Sequence, residues 1–186
     1  TTGCGVGLYL ELKEPAFHAA EGLALEQPLL DALAAYGYRG PEARVFVESF
    51  DAASLRRLRA LGSALPLVQL IGGGAAGRAM ASAEGLAEIA GYANAIGPNK
   101  RHLDSGGQPV EGGALVREAH RLGLRVHPWT FRADAVGAGY AGIEEELRAF
   151  LLRYDVDGVF TDQVDRALPI ARGDPRAAGL AACPRQ

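Results

Sequence analysis

Cysteine is scarce in this sequence. Cys4 and Cys183 are the two present, one near each end of 186 residues. A pair so placed reads as two free thiols unless the ends meet, and neither has the spacing of a zinc site. Long apolar runs are also missing. None approaches the roughly 20 residues that a membrane-spanning helix needs. A net charge of −3 leaves no electrostatic case for nucleic acid or an anionic membrane. No G-x-G-x-x-G turn follows the first strand, so a dinucleotide site is not expected. There is no initiator Met and no basic-then-apolar leader at Thr1, and the expectation is a start inside a longer protein.

What remains is an ordinary globular composition, 48% apolar and 22% charged, in a chain long enough for one domain with a core. Its periodicity alternates between strand and helix. Strands are predicted over 7–13, 44–50, 65–71, 93–98, 124–131 and 156–160. Helices are predicted over 27–36, 52–61, 83–93, 114–122, 142–154 and 162–171, several closed by Gly. Asp51 is placed to cap the second of these, and Asp162 the last. Residues 72–74, three glycines, read as a flexible loop, and 103–112 as a polar loop. Strand–helix alternation of this kind argues for parallel strands joined by crossovers. Six strands fall short of a closed (β/α)₈ barrel, and an open doubly wound sheet is the structural alternative. The domain is expected over 1–172, with 173–186 a frayed tail.

In the first strand, Leu8, Leu10 and Leu12 alternate with Tyr9, Glu11 and Lys13 before Pro15 ends the ladder. Glu11 and Lys13 therefore share one face near the carboxyl end. Such charges are costly there unless they pair or meet a ligand. Two readings stay open on these residues alone: an ion pair, or a metal-binding carboxylate beside a phosphate-binding lysine.

Six stretches in order carry a resemblance: GLYLELKEPAFH (7–18), VFVESFD (45–51), LVQLI (67–71), AIGP (95–98), VHPWTFR (126–132) and GVFTD (158–162). Together they resemble the glycerophosphodiester phosphodiesterases, above all the secreted or periplasmic bacterial kind. The resemblance implies a TIM barrel that hydrolyses glycerophosphodiesters to glycerol 3-phosphate and an alcohol. It implies a divalent cation, calcium first and magnesium as the alternative, with Glu11 as a metal ligand. It puts Lys13 by the phosphate and Trp129, with Phe131, at the substrate end of the barrel. Gln69, inside a strand, is a candidate for hydrogen bonding to a ligand or to another strand. A periplasmic or extracellular location follows from the resemblance only. The chemistry suits these residue types, because a hard cation and a lysine both offset the charge of a phosphodiester.

The departures matter as much. The family's His-Arg pair, its Glu-x-Asp metal ligands and its second catalytic histidine have no counterpart here. His18, His102, His120 and His127 occupy other positions; His18 is expected in a loop near the first strand and His120 facing solvent. The expectation is the carboxyl-terminal two-thirds of a barrel, its strands three to eight. Such a chain would be nearly inactive alone, and it would self-associate or take its amino-terminal part in trans through open strand edges. A non-catalytic half-barrel that binds or scaffolds is the alternative. Glu48 stands where the family often has glutamine; an extra carboxylate there could tune metal or substrate preference or pair with Lys13, and the pairing is the expectation.

Overall fold

The computed structural model describes residues 7–173. Both cysteines and the tail from 174 lie outside them.

The chain begins with β1 (Leu8–Glu11), α1 (Pro15–Ala20) and α2 (Glu26–Ala35). Next come β2 (Val45–Ser49), α3 (Ala52–Ala60), β3 (Leu67–Ile71), α4 (Gly74–Met80), α5 (Ala83–Ala90) and β4 (Ala95–Pro98). A short hairpin of β5 (Asp104–Ser105) and β6 (Gln108–Pro109) precedes α6 (Ala114–Arg121) and β7 (Arg125–Val126). Finally α7 (Ile143–Arg148) runs into a π-helical turn over Ala149–Arg153, and α8 (Val164–Arg172) closes the described chain.

The main sheet is parallel, five-stranded and ordered β1-β2-β3-β4-β7. The expected sixth strand is not a regular one. Residues 156–161 lie beside 126–131 through Asp157 N–H to the Val126 carbonyl, Phe160 N–H to that of Pro128 and Phe131 N–H to that of Phe160. Only isolated bridges, Asn99 with Trp129 and Phe131 with Thr161, extend the pairing there. The sheet does not close into a barrel among the described residues. Its curvature is nonetheless enough for Tyr9, on the first strand, to pack edge-on against Phe160 with ring centroids 4.8 Å apart.

Alternation along the strands builds two layers. Val45 and Val47, Leu67 and Ile71, Ile96 and Val126 face the helices and form the core with Leu55, Leu58, Leu86, Ile89, Leu147 and Phe150. Tyr9, Phe46 and His127 meet on the opposite, concave side. Asp51 caps α3 as expected, accepting from the backbone N–H of Ala53 and of Ser54. Arg59 of the same helix reaches the carbonyls of Tyr92, Ser63 and Leu65 and the side chain of Asn94, tying α3 to the starts of β3 and β4.

Local departures have local causes. The segment after Pro15 is a short helix, favoured because proline sits at its first position with φ already helical. Gly74 opens a helix where a flexible loop was expected; Gly77 lets it lie against the Gly72 carbonyl, which a Cβ at 77 would meet at 1.8 Å. Asp162 does not cap α8: that helix starts after Gln163 without a side-chain cap, and Asp162 lies 3.6 Å from Arg132.

Candidate active site

The carboxyl ends of the strands surround a cavity of about 240 Å³ lined by Glu11, Lys13, Glu48, Phe50, Leu70, Trp129, Thr130 and Phe160. Period-2 alternation brings Glu11 and Lys13 to it from the end of β1, and Glu48 and Phe50 from the end of β2. Trp129 arrives from the segment after β7. Its Nε1–H donates to the Gly97 carbonyl at 2.7 Å, and its ring meets Phe50 edge-on at 5.7 Å.

The charges within the cavity are unequal in exposure. Lys13 is 72% exposed and pairs with the Glu11 carboxylate at the rim, where water weakens such a bond. Glu48 is 7% exposed. It was expected to pair with Lys13, but among the described residues its side chain makes no hydrogen bond or ion pair, and its Oε2 is buried without a partner. Lys13 instead takes the acid two residues away on its own strand. Burial first, then the neighbouring Glu11 charge, push the Glu48 carboxyl up to about 7, with Lys13 pulling the other way.

Beneath the cavity lies a drier layer. Tyr9 Oη and His127 Nδ1 share a hydrogen bond of 2.8 Å, and Phe46 stacks on Tyr9 at 5.0 Å. Burial holds His127 down to about 4 against the pull of Asp157, so the imidazole is neutral near pH 7. Burial and then the Glu48 charge push the Tyr9 hydroxyl far up. This layer is the floor of the site.

Two expected substrate residues lie elsewhere. Gln69 is fully buried on the helix side of β3, where its Nε2 donates to the carbonyls of Ser49, Phe50 and Leu70 and its Oε1 accepts from Tyr92. All its capacity is spent joining strands and a helix end. Phe131 is likewise fully buried, packed edge-on against Phe150 at 4.7 Å, with the Lys100 ammonium 5.2 Å from its ring centroid. The segment from 127 to 131 is not a regular strand, so alternation cannot be carried from Trp129 to Phe131. No histidine lines the cavity. His18 meets Phe17 edge-on in α1, His102 bonds the Gly72 carbonyl, and His120 is hydrogen-bonded to Asp157 and 32% exposed. What sequence reasoning understated was Glu48; its signal was an acid after three apolar residues of a strand, and the structure sets it directly across from Glu11.

A sequence profile described as the glycerophosphoryl diester phosphodiesterase family matches residues 2–166. The chain belongs to that family. A glycerophosphodiester phosphodiesterase of Haemophilus influenzae is 28% identical over 198 residues, 93% of this chain and 54% of its own length. Another, from Treponema pallidum, is 37% identical over 59 residues, covering 32% of this chain and 17% of its own. A solved chain from Silicibacter pomeroyi, assigned as a glycerophosphoryl diester phosphodiesterase, superposes with a TM-score of 0.66 at 26% identity over 90% of this chain and 50% of its own. A glycerophosphodiester phosphodiesterase from Parabacteroides distasonis shares the fold alone, with a TM-score of 0.60 at 14% identity over 89% of this chain and 57% of its own. The chain thus spans about half the length of the Haemophilus relative it matches.

Can the site hold the divalent cation that the family resemblance implies? Among the described residues no group of three or more His, Cys, Asp or Glu side chains is placed to bind a metal. Two carboxylates are, however, side by side at the cavity, and one has an orphaned buried oxygen. Oxygen donors of this kind suit calcium or magnesium rather than a thiophilic metal. Glu11 and Glu48 would supply part of the oxygen shell that a hard cation takes.

Proposed function

We propose that this chain supplies the metal- and phosphate-binding part of a glycerophosphodiester phosphodiesterase, which hydrolyses glycerophosphodiesters to glycerol 3-phosphate and an alcohol. One observation carries the reading: Glu11, Lys13 and Trp129 line a single cavity at the carboxyl ends of parallel strands. Glu11 is the metal ligand and Lys13 the phosphate contact. Trp129 forms an apolar wall for the carbon skeleton of the substrate. The cation, calcium first and magnesium second, offsets the phosphodiester charge when bound. Lys13 is exposed enough to leave Glu11 and meet a phosphate oxygen, where it stabilises growing negative charge.

A complete reaction also needs a general base and a general acid. None of the four histidines reaches the cavity, and His127, hydrogen-bonded to Tyr9 in the floor, is held neutral by its burial. We infer that the five strands of the main sheet, with the irregular segment 156–161 beside the last of them, correspond to the third to eighth of the family barrel. The 186 residues then turn over slowly or not at all unless further residues join them, in trans or in a longer chain. A periplasmic or extracellular setting, as in the calcium-dependent kind of the family, accompanies this reading.

The test separates binding from turnover. Glycerol 3-phosphate is titrated into the chain in the presence of calcium by calorimetry, and glycerol 3-phosphate release from glycerophosphocholine is followed in parallel. Expected are saturable binding, its loss by roughly tenfold or more in Lys13→Ala, and negligible release. Absence of binding would sink the reading, and rapid turnover would sink the inference about missing acid and base.

A further inference from the structure

We propose that Glu48 is a direct ligand of the divalent cation, which it shares with Glu11 across the β1–β2 strand pair. The inference rests on the reading above and adds a ligand to it.

Among the described residues three buried carboxylates have an oxygen without a partner: Glu26, Glu48 and Glu146. The other two are explained by their second oxygen. Glu26 accepts from Ser54 Oγ at 2.7 Å and pairs with Arg57 at 3.2 Å; Glu146 pairs with Lys100 at 2.7 Å. Glu48 has neither a hydrogen bond nor an ion pair among the described residues. A buried carboxylate left bare is expensive, and proteins keep such groups paired or on a metal. Its orphaned oxygen belongs to a side chain that lines the cavity, not one sealed among helices.

The strand register supplies the second argument. Glu11 and Glu48 are direct Cα partners in the parallel pair. Neighbouring strands lie about 4.8 Å apart. A calcium–oxygen bond is about 2.3–2.6 Å, so one cation bonded to an oxygen from each strand spans that gap. The same register sets two like charges side by side, which is unfavourable until a cation lies between them. Lys13 offsets one charge from the exposed rim and leaves the deeper one unmet. Ligand charge tunes calcium affinity, so a second carboxylate raises it.

Terbium is the probe, an oxygen-seeking ion of calcium-like size. Trp129 is the single tryptophan and lines the same cavity, so terbium bound there acquires tryptophan-sensitised emission. The expected result is sensitised emission from the full chain, displaced by calcium, with affinity roughly tenfold or more weaker in both Glu48→Gln and Glu11→Gln. Trp129→Phe should lose the emission while calorimetry still records the cation. Circular dichroism and melting check that each variant folds. Should Glu48→Gln fail to fold, Glu48→Asp carries the test: it keeps the charge but draws the oxygens back by one methylene, and an unchanged affinity overturns the proposal. Unchanged affinity in a folded Glu48→Gln overturns it too. If Glu11→Gln alone weakens binding, Glu48 is not a ligand and the proposed function stands. If the chain takes up no cation, the Glu48 ligation fails along with the metal role of Glu11; glycerol 3-phosphate binding then decides Lys13 separately.

Discussion

At the scale of single residues, the site is built on an acid that is deep and a lysine that is shallow. Glu48 and His127 are both buried titratable groups, and they act on stability with opposite sign. For His127 the folded value of about 4 lies below the free value of 6.5. Between those limits the unfolded chain binds the extra proton, so stability rises with pH across that window and is lost as pH falls through it. The Glu48 carboxyl, raised from 4.5 to about 7, makes stability fall as pH rises through its own window. The two slopes partly cancel in the native protein. Replacing His127 by glutamine, which can still accept from Tyr9, should flatten the histidine contribution. The melting temperature of His127→Gln should then change less favourably with rising pH between 4 and 6.5 than that of the native chain, by at most roughly 3 kcal/mol in stability. Parallel curves for the two proteins would show that His127 does not titrate in this way.

At the scale of elements, the loops and helix starts hold the strand ends that carry the site. Asp51 satisfies two free N–H groups at the start of α3, directly after the strand that bears Glu48. Asp51→Ala should cost about 1 kcal/mol, read as a lower denaturant midpoint with an unchanged slope. Gly77 has a harsher constraint. A methyl group there would strike the Gly72 carbonyl, itself bonded to His102 Nε2 at 2.7 Å. Backbone has nowhere to yield cheaply, so Gly77→Ala should destabilise by about 1–3 kcal/mol even though alanine favours helices. A neutral or stabilising result in thermal melts would mean that α4 can move away from the turn at 72.

At the scale of the whole molecule, the five-stranded sheet is open among the described residues. β1 lies at one end of the order, with Leu8 partly exposed. Parallel strands are normally buried on both faces, and an unpaired edge is a template for another strand. The chain is therefore expected to self-associate, its apparent mass in size-exclusion with light scattering growing with concentration. A single sharp monomer across the whole concentration range is the opposite outcome. Among the described residues no helix is long and apolar enough to cross a membrane.

Much of this was legible from sequence, for a physical reason. Side-chain direction in a strand repeats every two residues, so Glu11 and Lys13 had to share a face. Caps such as Asp51 act over three residues and need no distant partner. The alternation of elements placed the polar ends of the strands on one side, where the cavity lies. What no local pattern contains is the identity of the neighbour. Gln69 sits in a strand buried on both faces, so only the packed structure decided that it faces Tyr92 and the helices. Phe131 follows an irregular stretch in which alternation is lost, and the fold turned it into the core. Glu48 was visible as an acid, but its lack of a partner and its register with Glu11 arise only when two strands 37 residues apart in sequence are brought side by side.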